Sequence, residues 1–108
     1  SRHLISVFQP HRYSRIKNLK REFTFSFSKS NKVILCPVYS AGEKKDKIYN
    51  QSQFARQIAK NSKVQVIVIK NQIELQNYLR KNLVSDEIII GMGAGTISKW
   101  MHDLKNIL

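Results

Sequence analysis

A chain of 108 residues, 42% hydrophobic and 24% charged, is sized for one compact domain with a real core, which excludes a disordered tail. Its longest apolar runs, "VIVI" (66–69) and "IIIGM" (88–92), fall far short of the roughly 20 residues a membrane-spanning helix needs, and no signal-peptide pattern opens the chain. The net charge of +12 points to anionic partners, yet thirteen of the nineteen cations are lysines scattered from Lys17 to Lys105, which reads as compositional drift over the whole surface.

In chain order, Leu4–Gln9 alternates like a strand and ends in a polar turn. From Tyr13 to Phe27, apolar residues at Ile16, Leu19, Phe23 and Phe27 predict an amphipathic helix, with Lys17, Lys20 and Arg21 toward its other side. "KVILCPVY" (32–39) is a continuous apolar strand of the kind a parallel sheet buries on both faces, and Pro37 should end it. A glycine-bearing loop over 40–51 leads to a helix over 52–60 through Phe54, Ala55, Ile58 and Ala59. "VQVIVI" (64–69) is a third strand, and 73–83 a helix with Ile73, Leu75, Tyr78, Leu79 and Leu83 inward. Glu87–Ile90 forms a fourth strand, "GMGAGT" (91–96) a glycine-rich turn, and 97–108 a last helix carrying Ile97, Trp100, Met101, Leu104 and Leu108.

The order β-α-β-α-β-α-β-α predicts a single α/β domain: a Rossmann-like, open, mostly parallel sheet with right-handed crossovers and helices on both faces. Such folds bind ligands outside the carboxyl ends of their strands. Those ends carry "QPHRYSR", "PVYSAGE", "KNQ" and "GMGAGT"; the opposite ends are ordinary polar turns.

"HRYSR" opens a helix, where the dipole is positive and Asp, Ser or Thr would be the usual choice. Arg12 and Arg15 there can share one side of the first turn and receive a carboxylate or phosphate, and His11 can donate a hydrogen bond or move a proton. The plainer alternative is a solvated face with His11 capping the turn. In "YSAGE", Tyr39 and the Gly42 turn precede a lone carboxylate, Glu43, which either orients an arginine across the edge, binds an ammonium group, or stands in solvent. Gly91, Gly93 and Gly95 spell G-x-G-x-G, neither the dinucleotide fingerprint nor a P-loop, so close packing with Thr96 as a helix cap competes with a phosphate cradle. His3, His11 and His102 lack metal-ligand spacing. Cys36 has no activating base nearby, cannot form an internal disulfide, and fits a reducing compartment.

Together "VFQPHRYSR", "VYSAGE" and "GAGTIS" resemble the C-terminal domain of the Mur ligases, in the branch that joins L-alanine to UDP-N-acetylmuramate. The resemblance runs from about Leu4 to Leu108. It implies a cytoplasmic three-domain enzyme of peptidoglycan synthesis in which ATP, with Mg²⁺, phosphorylates the sugar acid and the amine of alanine displaces the phosphate. ATP and Mg²⁺ would be held mainly by a central domain, and the other partners would be UDP-N-acetylmuramate and L-alanine. By motif position, Arg12 and Arg15 would bind the alanine carboxylate with His11 beside them. Glu43, with Tyr39, Gly42 and the Gly93–Ala94–Gly95 turn, would line the same edge. No residue of the chain is assigned a catalytic role.

The family's Asp-x-Tyr-Gly-His-His-Pro strand is missing, and Pro37 stands where an acid is often found. The expectation is a piece of a longer protein that lacks the domain's first strand and is inactive alone. The competing reading is a basic α/β module that binds nucleic acid. Against it, the chain lacks the interleaved aromatics of an RNA-binding sheet.

Overall fold

Four apolar runs become four parallel strands, and the amphipathic stretches between them become helices. The computed structural model describes residues 3–83, 86–93 and 96–106. Its elements are β1 (His3–Gln9), α1 (Tyr13–Phe25), β2 (Lys32–Leu35), α2 (Gln51–Ser62), β3 (Gln65–Val68), α3 (Gln72–Asn82), β4 (Glu87–Gly93) and α4 (Ile97–Leu104).

The sheet runs β3-β2-β1-β4, parallel throughout. Val7 lies opposite Ile34 on one side and Gly91 on the other, so both central strands are covered on both faces. One face carries Phe8, Val33 and Leu35 against Ile16 of α1 and Phe54 and Ile58 of α2. The other carries Ile5, Val7, Ile34 and Cys36 against Leu75 and Leu79 of α3 and Ile97 and Leu104 of α4. The chain winds outward from β1 to β3 and then returns past β1 to β4. The strand order therefore reverses between β1 and β4, where an open α/β sheet leaves a crevice at the carboxyl ends.

The second strand stops at Leu35, two residues before Pro37, its expected end, which has no amide hydrogen to carry the ladder. Pairing resumes once, as an isolated bridge between His11 and Tyr39. Two expectations need correction. Helix α1 ends at Phe25, so Phe27 is buried from the following turn, and Leu19 departs from helical angles. Ile73 is 66% exposed, because at 100° per residue it lies nearly opposite the buried Leu75 and Leu79. Trp100 and Met101 pack partly buried against the core, whereas Leu108 lies outside the described residues.

Cys36 is fully buried under this core, and burial pushes its thiol up to about 12. At pH 8 it should resist a thiol reagent in the native chain and react at once in denaturant. Rapid native labelling would show that the core opens readily.

Candidate functional site

Residues 9–12, at the end of β1, gather contacts from both neighbouring strands. The amide of Cys36 donates to the carbonyl of Phe8 (2.8 Å) and that of Tyr39 to the carbonyl of Pro10 (2.9 Å). The His11 and Tyr39 rings stack with centroids 5.5 Å apart and planes 19° from parallel. "PHRYSR" is thereby tied to "VYSAGE", as their position at adjacent carboxyl ends predicts.

Arg12 is the N-cap of α1 with φ 62° and ψ 163°, a region that is nearly glycine's alone. An arginine held there costs about 1–3 kcal/mol of backbone strain, so the surrounding contacts must impose the conformation. Arg12 and Arg15 are both exposed, and among the described residues neither makes a side-chain hydrogen bond or salt bridge. Two guanidiniums with open donors thus stand at the start of α1, just past the carboxyl end of β1.

The helix amides are less free than the sequence suggests. Glu43 Oε1 accepts the amide of Ser14 (3.2 Å), so a carboxylate 29 residues away caps α1. The hydrogen bond from the Ser14 side chain, helped by that amide, the Arg12 charge and the Tyr13 amide, holds the Glu43 carboxyl below its ordinary value of 4.5. Glu43 takes a role outside those its residue type offered: among the described residues it makes no ion pair with Arg12, and it caps α1. Because its pKa is lowered on folding, this contact stabilises above pH 4.5 and is lost as pH falls through the lower folded value. The Ser14 amide resonance should therefore titrate below pH 4.5 and stop doing so in Glu43→Gln; a midpoint at or above 4.5 would refute the contact.

Gln9 is the residue that sequence reasoning missed. It is 3% exposed and joins three segments. Its Nε2 donates to the Thr96 hydroxyl (2.8 Å) and the Pro37 carbonyl (3.3 Å). Its Oε1 accepts the amide of Ile97 (2.9 Å) and approaches the Thr96 hydroxyl at 3.1 Å. Gln9, not Thr96, caps α4: Thr96 makes no side-chain cap bond. The only sequence signal is a polar residue at the inner end of an apolar strand.

Gly91 and Gly93, expected in a turn after Ile90, instead extend β4, because they pair with Val7 and Gln9 of β1, and packing explains both glycines. A Cβ on Gly91 would lie 2.6 Å from Met101 Cγ, and one on Gly93, where φ is +130°, would lie 2.2 Å from the Gln9 carbonyl oxygen. Gly42 also has positive φ, +86°, but open space around it. Ala94 and Gly95 lie outside the described residues. Among the described residues no three His, Cys, Asp or Glu side chains gather as a metal-binding group would.

No family model matches the chain. Three curated relatives carry the name UDP-N-acetylmuramate–L-alanine ligase. That of Pelagibacter ubique is 46% identical over 105 residues, 97% of this chain and 23% of its own length. The protein of Fusobacterium nucleatum is 37% identical over 94% of the chain and 21% of its own length. The third, from Vesicomyosocius okutanii, is 35% identical over the whole chain and 22% of its own length. The chain therefore spans only about a fifth of the relatives it matches. Within that span, 35–46% identity over nearly the whole chain leads to one placement: by sequence the chain is a relative of one segment of proteins named UDP-N-acetylmuramate–L-alanine ligase.

Proposed function

We propose that the chain serves as the C-terminal, amino-acid-binding domain of a cytoplasmic ligase that joins L-alanine to UDP-N-acetylmuramate. The observation that carries this reading is the pair of open guanidiniums, Arg12 and Arg15, past the carboxyl end of β1 at a helix start that Glu43 already caps. With the Ser14 amide taken, the arginines are the groups left to receive an amino acid's carboxylate, through charge-assisted and bidentate hydrogen bonds. Glu43 steadies Arg12 electrostatically, and the His11–Tyr39 stack closes one side of the site.

The described residues do not fit a magnesium nucleotide. The space a phosphate would use at Gly93 is filled by the Gln9 carbonyl, and no acidic cluster stands nearby. We assign ATP and Mg²⁺ to other parts of the ligase, and the chain alone should make no UDP-N-acetylmuramoyl-L-alanine. Chromatographic detection of that product from the purified chain, supplied with ATP, Mg²⁺, L-alanine and UDP-N-acetylmuramate, would overturn the assignment.

A further strand, as the family resemblance implies, would have a place to pair. β4 is the sheet edge beside β1, and Ile88, Ile90 and Met92 stand 36–45% exposed on the face that α4 does not cover. Further strand and helix from the intact ligase would cover that apolar stripe.

A further inference from the structure

The outer surface of the α1–α2 pair carries a groove that the crevice chemistry does not use. Two hollows of about 200 and 320 Å³ follow one another along it and share Lys20. Its α1 wall presents Lys17, Lys20 and Arg21. Its α2 wall presents Gln53, Gln57 and Asn61, four residues apart and therefore in a row on one helix face. Arg21 stacks over the Phe25 ring at 5.1 Å, which holds its head group in place. The one carboxylate in the lining, Asp46, already accepts the Ile48 amide.

Two side-chain atoms of this lining are buried without a hydrogen-bond partner among the described residues: the Tyr49 hydroxyl and Gln57 Oε1. Burial, with Tyr13 alongside, pushes the Tyr49 phenol up, so it stays protonated as a donor. Buried polar groups in folded proteins are almost always paired, so these two orphans, closed to solvent in the free chain, would gain partners from an occupant that turns their side chains into the groove.

The cations alone would suit any polyanion. The amide row is more selective, because Gln53 and Gln57 ask for a partner offering both N–H and C=O, while Asn61, whose nitrogen already donates to the Thr24 hydroxyl (3.0 Å), keeps its oxygen to accept an N–H. A peptide backbone offers both, and so satisfies Gln57 whichever way its amide is turned. A phosphodiester backbone offers acceptors only and leaves the Gln57 oxygen unpaired. From Tyr13 to Thr24 the groove runs roughly 17 Å at about 1.5 Å per residue, room for about five extended residues.

We propose that the α1–α2 groove docks an extended acidic peptide, its carboxylates on Lys17, Lys20 and Arg21 and its backbone on Gln53, Gln57 and Asn61. The proposal is independent of the ligase reading, since none of these residues borders the β1/β4 crevice.

A fluorescein-labelled peptide of alternating Glu and Gly tests it, by anisotropy and by amide shifts of the 108-residue chain. Saturable binding is expected, with shifts confined to residues 13–24 and 49–61. Lys20→Gln combined with Arg21→Gln should weaken it about tenfold, and Gln57→Leu about threefold, with melting temperatures unchanged. No binding, or shifts spread over lysines elsewhere, would overturn the proposal. So would a single-stranded oligonucleotide of equal charge that binds as tightly and ignores Gln57→Leu, which would make the groove a nucleic-acid surface.

Discussion

Gly93→Ala is expected to lower the stability of the domain by about 3–5 kcal/mol, enough to leave much of it unfolded near 40 °C. Two costs combine. The new methyl carbon would lie 2.2 Å from the Gln9 carbonyl oxygen, and φ of +130° is strained for any residue with a Cβ. Neither neighbour can yield cheaply. The oxygen is backbone in a central strand, and its residue anchors the start of α4 through the Ile97 amide. For a domain this small each kcal/mol shifts melting by roughly 4–8 °C, so a drop of about 15 °C or more is expected. Gly42→Ala separates the two causes, because Gly42 has φ of +86° but nothing within 4 Å. It should cost only about 1 kcal/mol. If thermal melts place the two variants within a few degrees of each other, the clash at Gly93 is not real.

Arg12→Gly should split stability from function. Glycine adopts the φ 62°, ψ 163° conformation freely, so the variant chain should melt no lower than the parent and up to about 1–3 kcal/mol more stably. In the intact ligase the same change removes one proposed carboxylate partner. Losing a charge-assisted, bidentate contact is worth about 2–3 kcal/mol, so kcat/KM for L-alanine should fall roughly 30- to 150-fold. Arg12→Ala should lose as much activity without the gain in stability, since alanine keeps the strain. Unchanged alanine kinetics in both variants would remove Arg12 from the site. A lower melting temperature for Arg12→Gly would mean the side chain itself holds the loop.

The periodicities that define the strands and helices are local, which is why the element order and the parallel sheet were legible in the residues themselves. Ile73 misled because one apolar residue near a helix start satisfies several spacings, and only the positions of Leu75 and Leu79 decide which face is inward. The site was legible as a set of loops, not as a set of bonds. Glu43 and Ser14 are 29 residues apart, and Gln9 meets Ile97 across 88, distances at which residue type carries no pairing signal. The left-handed backbone of Arg12 was invisible for a similar reason: arginine is a poor choice for it, so only the assembled edge reveals that it is imposed.

The caps divide the helices into two kinds. Asn50 and Asn71 accept amides three residues ahead, so α2 and α3 carry their own start signals. By contrast, α1 and α4 borrow theirs, from Glu43 and from Gln9. A borrowed cap exists only after the distant segment has arrived, so it contributes nothing to nucleating the helix. During folding, the middle of the chain can acquire helix early, while the two helices that flank the binding edge gain their first turns only as the sheet closes. The cap bonds at this edge can thus form no earlier than the long-range contacts that bring Glu43 and Gln9 to the helix starts.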